Sequence, residues 1–304
     1  MRLAVSLPLL CLLAALFARP ADATGLAFVV NSRSASVSLI DMTKLVELRR
    51  VPVLREPHHL VLSPDGKHLL VGDTIGNAIF FLDPNTGEVT QRLAVADPYQ
   101  LGFSPNGKWL VVNGLARDQV DVYDAASMKL VRRFPIASMP SHLAFSPDSN
   151  MVYISLQGSN RLAAIDLTRL AVIWDVPVGS TPAGVLWNRG HVLVADMGAD
   201  YVAVVDPADG KVINRIHTGA GAHQLFASPD GKQVYVNNRA AGTITVLDAA
   251  SLATLRTYRV PGGPDDLAFA PDGTIWITCR FIEKVAVLNP TTGALRTVEV
   301  GRQP

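Results

Sequence analysis

Apolar runs of four or five residues alternate with short polar stretches along this chain, and one such alternation returns seven times. In each cycle an apolar run is closed by an acidic or amide residue: Asp41, Asp83, Asp124, Asp166, Asp206, Asp248 and Asn289. The intervals between them are 42, 41, 42, 40, 42 and 41 residues. Three of the seven open a proline turn that ends in glycine, as in Asp83-Pro84-Asn85-Thr86-Gly87. A second marker runs in phase: Ser63-Pro64-Asp65-Gly66, Ser104-Pro105-Asn106-Gly107, Ser146-Pro147-Asp148-Ser149, Ser228-Pro229-Asp230-Gly231 and Ala270-Pro271-Asp272-Gly273. Proline presets φ for such turns, and Asp, Asn and Gly tolerate the dihedrals that complete them.

Between the turns, residues 57–97 read as four strands: His59–Leu62, Leu69–Gly72, Ile79–Leu82 and Val89–Val95. The third runs of all cycles, such as Val37–Ile40, Val120–Tyr123 and Ile244–Leu247, are almost continuously apolar. Strands buried on both faces have that composition. Seven units of about 40 residues with two turn signals each predict an all-β chain. The expected fold is a seven-bladed β-propeller of four-stranded antiparallel blades.

The same spacing makes a statement about blade one. Inner strands are expected to begin at Pro57, Pro98, Pro140, Pro182, Ala222 and Pro264, and the next such position is Pro304. Residues 28–54 supply only the second, third and fourth strands of blade one. That blade is expected to lack its inner strand, as in a truncated chain, leaving a gap at the channel between blades seven and two.

Composition narrows the setting. Arg2, the apolar stretch Leu7–Phe17 and the small-residue site Ala21-Asp22-Ala23 predict a signal peptide over 1–23, with the propeller over 24–304. The expected location is therefore periplasmic or secreted. Cleavage leaves Cys279 alone, so no intramolecular disulfide can form, and its place at the end of an apolar run predicts a packed, inert thiol. With 27 basic and 26 acidic side chains and no basic run, there is no bulk electrostatic case for nucleic acid or an anionic membrane. No later run has transmembrane length, and a monomer is expected.

In a radial propeller the loops entering the inner strands share a face with the loops between second and third strands. The first set carries His58, His59, His142, His223 and Asp265. The second carries Arg33, Arg117, Arg161, Arg239 and Arg280. Imidazoles can bind a metal or haem iron, and guanidiniums pair with carboxylates bidentately. The reading is an exported, non-enzymatic propeller that binds a small anionic ligand or a protein partner at this His/Arg-lined mouth. No catalytic residue and no metal ligand is assigned. The Asp of each Ser-Pro-Asp-Gly turn is repeated and is read as a turn residue. His68, His191 and His217 are read as structural or exposed, and Trp109, Trp174, Trp187 and Trp276 as blade packing. Asp265 and Asp266 are expected on opposite strand faces, which speaks against a carboxylate pair.

The second-strand tetrapeptides, best in Tyr235-Val236-Asn237-Asn238, together with the turn signatures, resemble the YVTN-type β-propeller repeat family over residues 25–304. That resemblance implies the fold and says little of function. The repeats also resemble, more distantly, the tetrapyrrole-binding propeller of haem-containing nitrite reductases and of their cofactor-assembly proteins. This resemblance implies an alternative, a periplasmic protein that binds or assembles a modified haem, with the histidines serving iron and the arginines the ring carboxylates. A third reading, sugar-lactone hydrolysis, rests on the fold of some lactonases. It would draw on Asp196, Asp265 and His142.

Overall fold

The computed structural model describes residues 25–304, and the expected signal peptide over 1–23 lies outside them. Seven antiparallel sheets follow one another along the chain, six of four strands and the first of three. The fold is the predicted all-β seven-bladed propeller. Blade one consists of β1 (Leu26–Asn31), β2 (Ser36–Asp41) and β3 (Val46–Pro52), with β1 at one edge. Among the described residues, this first sheet has three strands, as the spacing predicts.

The inner strands of the other blades are Pro57–Leu62, Gln100–Phe103, Pro140–Phe145, Pro182–Asn188, Ala222–Ala227 and Pro264–Phe269. In blade three the strand starts two residues later than the spacing predicts. Ahead of it Tyr99 N donates to Asn113 O, at 2.9 Å.

The continuous apolar third strands are explained by their position. Val37, Ile79, Val120, Leu162, Val202 and Ile244 are all 0% exposed. Each lies between two neighbouring sheets. Val111 and Val122 of blade three, for example, share a cluster with Ile154 and Ile165 of blade four. Blade one joins blade seven in the same way, through Val29 and Ile40 against Trp276, Val285 and Val287. Burial of each such side chain contributes about 1.5–3 kcal/mol. Trp174 and Trp187 flank Tyr153 at centroid distances of 5.8 and 5.9 Å, between blades four and five.

The turn markers do the work read from them. Ser63 Oγ donates to Asp65 Oδ1 at 2.6 Å and accepts from His68 N at 3.0 Å, and Ser228 with Asp230 repeats the first bond at 2.6 Å. Asp83 Oδ1 accepts from the backbone N–H of Asn85 and Thr86. Blade five lacks the marker because it uses a two-residue hairpin instead. Asn188 pairs with His191 across Arg189 and Gly190, both at positive φ (47° and 89°), as a twist-matched hairpin requires. Cys279 is buried and its thiol is pushed up to about 11 by that burial, which fits an inert side chain.

One buried carboxyl departs from the repeat. Asp73 closes the second strand of blade two and accepts three backbone N–H bonds, from Arg55, Glu56 and Gly76. In blades one and six the same position is Asn31 and Asn238, which donate to Ser36 and Ser38 and to Thr243 and Thr245. In blade five it is Asp196, fully buried, and neither of its oxygens has a partner. Burial pushes its carboxyl up to about 7. A raised folded-state value favours folding while the group stays protonated, so this contribution is present at pH 4 and below and is lost as pH rises through 7. Asp196→Asn is expected to raise stability at pH 8 by up to about 3 kcal/mol and to change it little at pH 4. Urea unfolding at the two pH values checks this; equal effects at both would refute it.

Candidate functional site

A β-bulge near the start of the inner strands decides which side chains reach the channel. The ladder of blade two shifts register between Pro57 and His59, and those of blades four, five, six and seven shift at the same place. An extra residue in one strand breaks the strict alternation of faces. Consecutive residues then turn to the same side: the rings of His58 and His59 stack at 5.0 Å. Asp265 and Asp266 both line one cleft, and the Asp265 carboxylate is the one turned to His223, Arg239 and Arg280.

From blade two the aromatic rings form a continuous file across the channel. His58 lies 4.1 Å from Tyr99 of blade three, His59 lies 5.2 Å from His142 of blade four, and His142 lies 5.3 Å from His223 of blade six. The four histidines picked out by their position after each blade start therefore meet, although more than 160 residues separate the first from the last. Tyr99 shares that offset in blade three, yet its chemistry alone does not mark it in the sequence.

The file ends on a charged group. His223 Nδ1 lies 3.3 Å from Asp265 Oδ1, and Arg280 Nη1 donates to Asp265 Oδ2 at 3.2 Å. Arg239 bonds both Asp265 and His223 through Nη2. Burial by itself would raise the Asp265 carboxyl, but His223, Arg239 and Arg280 together hold it below the usual carboxylate value. Burial and then the charge of Asp265 push Asp266 up to about 7. Burial also lowers every imidazole: His59 and His223 to about 4, and His58 and His142 well below their ordinary value. All four rings are neutral at pH 7. Tyr99 is pushed up to about 12 by burial and then by Asp265.

The remaining arginines do not join the cluster. Arg161 opens the third strand of blade four and reaches outward to Asp175, with Nε 2.6 Å from Oδ1. Arg33 and Arg117 are exposed at the rim, and what holds their loops is backbone: Arg33 N donates to Arg302 O and Arg117 N to Asp97 Oδ2. The expected ring of five arginines is thus a pair. Asp196, the acid considered for lactone chemistry, is fully buried at the end of its strand. Ser141 Oγ lies 2.6 Å from His142 Nδ1 and accepts from Gln157 Nε2 at 2.7 Å, but serine and histidine are both sealed from solvent at 0% and 1% exposure. No group of three or more His, Cys, Asp or Glu among the described residues is arranged to hold a metal ion.

Beside the cluster lies a cleft of about 680 Å³. Its polar end is made by His58, His59, His223, Asp265 and Arg280. Its apolar end lies along β1 and is walled by Leu60, Leu69, Phe269 and Trp276. The cleft occupies the place that the inner strand of blade one would fill, so the gap and the cluster are continuous. The size falls in the range of small-molecule sites, roughly 300–1,000 Å³.

Comparison with known proteins agrees with this architecture. The family model described as YNCE-like beta-propeller matches residues 3–304. The uncharacterized protein YncE of Salmonella typhimurium is 24% identical over 246 residues, covering 74% of this chain and 69% of its own length. A functionally unknown protein from Desulfotomaculum acetoxidans superposes with a TM-score of 0.77 at 13% identity, over 91% of this chain and 99% of that one. The dihydro-heme d1 dehydrogenase NirN in complex with DHE superposes with a TM-score of 0.69 at 17% identity, over 95% of this chain and 77% of that one. The chain belongs to the YNCE-like β-propeller family.

Proposed function

We propose that this YNCE-like propeller is an exported binding protein, acting without turnover, that takes a small anion at the polar end of its channel mouth. The observation that carries this reading is the charge count around Asp265. Two guanidiniums, Arg239 and Arg280, meet one carboxylate, and the adjoining imidazoles are neutral. A positive charge is left in excess in a largely buried setting, where an anion is attracted more strongly than in water. Asp266, poised near 7, keeps its proton more readily as an anion approaches. Two further atoms lack partners, His142 Nε2 and Arg239 Nε. Binding rather than turnover is supported by the sealing of Ser141 and His142, which denies a substrate the one serine–histidine contact of the ring. Export rests on the leader-like sequence of residues 1–23.

Titration calorimetry with acetate, succinate and citrate tests this reading. At least one is expected to bind, with an affinity that falls as pH rises through about 7 and Asp266 ionises. Arg280→Gln is expected to weaken it about 10- to 100-fold, the worth of one charge-assisted hydrogen bond. The reading is lost if no anion binds at millimolar concentration, or if Arg280→Gln binds as tightly as the parent.

A second reading, a tetrapyrrole ligand, is favoured by His59. Its Nδ1 lies 2.8 Å from the carbonyl of Tyr99 and donates to it, which leaves the lone pair on Nε2. An imidazole that ligates a metal is commonly oriented by such a bond to a backbone carbonyl. The cleft adds an apolar wall for a macrocycle, with Arg280 at its polar end for a carboxylate. NirN, bound to DHE, has the same fold. His59 would hold the iron, and the iron would supply the chemistry of the bound group. Addition of haemin to the purified protein should shift the Soret band, and His59→Ala should abolish the shift. An unchanged spectrum removes this reading and leaves anion binding standing.

A further inference from the structure

Between blades two and three the rim of the channel carries two charges that the repeat does not need. Glu56 is the residue before the inner strand of blade two, and Arg117 is the third residue after the second strand of blade three. In blades four, five and six the place of Glu56 is taken by Met139, Thr181 and Gly221, and the place of Arg117 by Ser159, Ala199 and Ala241. The turns at both places therefore form without an acid or a base.

Both side chains line a second cleft, of about 600 Å³, which shares only His58 with the cleft beside the histidine file. Its volume also falls within the range of small-molecule sites, roughly 300–1,000 Å³. His58 and Tyr99, whose rings lie 4.1 Å apart, form its aromatic lining. Ile75, 54% exposed, and Leu115 add an apolar wall. The cleft thus combines one acid, one base and an apolar body.

The backbone around the two charges is fixed. Glu56 O accepts from both N and Oγ1 of Thr74, at 3.0 and 3.1 Å. Asp97, 6% exposed, accepts through Oδ2 from Ala116 N at 2.6 Å and Arg117 N at 3.0 Å, and its own N–H donates to Asn77 Oδ1. Asn77 and Asp97 both stand at positive φ, 53° and 49°, a region that Asn and Asp tolerate better than most side chains. Burial pushes the Asp97 carboxyl up; the charge of Glu56 acts in the same direction and that of Arg117 against it, so both charges are felt across one space. Yet Glu56 and Arg117 do not reach each other. Among the described residues neither the Glu56 carboxylate nor the Arg117 guanidinium forms an ion pair or a hydrogen bond. Two opposite charges are held apart over an apolar lining, and a molecule that carries both signs at its own ends satisfies both.

We propose that this cleft binds a small zwitterion with an apolar body, a free amino acid or a short peptide, with its ammonium at Glu56 and its carboxylate at Arg117. An apolar side chain on the ligand lies against Ile75 and Leu115. The site goes beyond the anion site at Arg280, since it requires positive and negative charge on one ligand and draws on residues of blades two and three alone.

Titration calorimetry of the full chain with L-leucine and with the dipeptide Leu-Leu tests the proposal. Saturable binding of at least one is expected. 4-Methylpentanoate, which lacks the ammonium, and isoamylamine, which lacks the carboxylate, should each bind at least tenfold more weakly. Tighter binding of leucine identifies free amino acids as the source, and tighter binding of the dipeptide identifies peptides; either result supports the site. Glu56→Gln and Arg117→Gln are each expected to weaken the zwitterion about 10- to 100-fold, the worth of one charge-assisted hydrogen bond. Both side chains lie on loops at the rim, so a melting temperature close to that of the parent shows that these variants are folded. Arg280→Gln should bind the zwitterion as the parent does, which separates this outcome from loss of the anion site. Absence of binding by leucine and dipeptide at millimolar concentration overturns the proposal. So does 4-methylpentanoate binding as tightly as leucine, or unchanged affinity in Glu56→Gln.

Discussion

Replacement of Asp265 by alanine is expected to lower the unfolding free energy by about 3–5 kcal/mol at pH 7, the usual result of removing one partner from a buried ion pair. Its carboxylate faces two guanidiniums whose side chains are only 18% and 20% exposed, and it anchors His223 as well. Without it, Arg239 and Arg280 remain in a poorly solvated cluster with no counter-charge, and neither can shed its proton to relieve the repulsion. For a domain of this size the loss corresponds to roughly 10 °C in melting temperature. Asp265→Asn keeps the volume and loses the charge, so it should fall between the parent and the alanine variant. Joint replacement of Asp265 and Arg239 by apolar residues should cost less than Asp265→Ala alone, because the stranded charge is removed with its partner. A loss under about 1 kcal/mol for Asp265→Ala would show that the cluster is hydrated and its charges unlinked.

Acidification should unfold the protein from the ring outward. His59 and His223 titrate near 4 in the folded chain and near 6.5 when unfolded, so the unfolded state binds more protons across that interval. Their contribution is complete above pH 6.5 and is lost as pH falls to 4, at about 3 kcal/mol for each imidazole taken singly. His58 and His142 are displaced further in the same direction. Asp196 and Asp266 act oppositely over pH 4–7, since their raised values favour the folded state as they take protons. Four lowered imidazoles outweigh two raised carboxyls, and net stability should decline with acid below pH 6.5. His142→Gln should flatten the decline, and Asp196→Asn should steepen it. Urea midpoints from pH 4 to 8 supply the measurement; a flat or rising profile toward acid would contradict it.

The histidines and the arginines differ in how far they can be located from the chain alone. His58, His59, His142 and His223 each follow a blade start by one or two residues, and a periodic backbone places such offsets on one circle. The arginines sit in loops between second and third strands, where side-chain direction depends on the nearest acceptor. Arg239 and Arg280 find Asp265; Arg161 finds Asp175 on the outer strand of its own blade. No spacing encodes that choice, because the competing acceptors come from different strands and, for Arg239 with Asp265, from a different blade. The register shift between Pro264 and Leu267 was likewise hidden, since strict alternation does not announce a bulged residue.

By itself the sequence determined the seven units, the order of strands within each, the doubly buried third strand and the three strands that residues 26–52 give blade one. All of these follow from the period of apolar runs and from turn chemistry, which act over four to ten residues. Tertiary structure alone decided that four imidazoles meet in one file, that two of five guanidiniums share one carboxylate, and that Asp196 is left without a partner. Each of these depends on side chains from blades tens of residues apart being pressed into one dry space, where burial and the nearest charge, rather than position in the repeat, set direction and protonation.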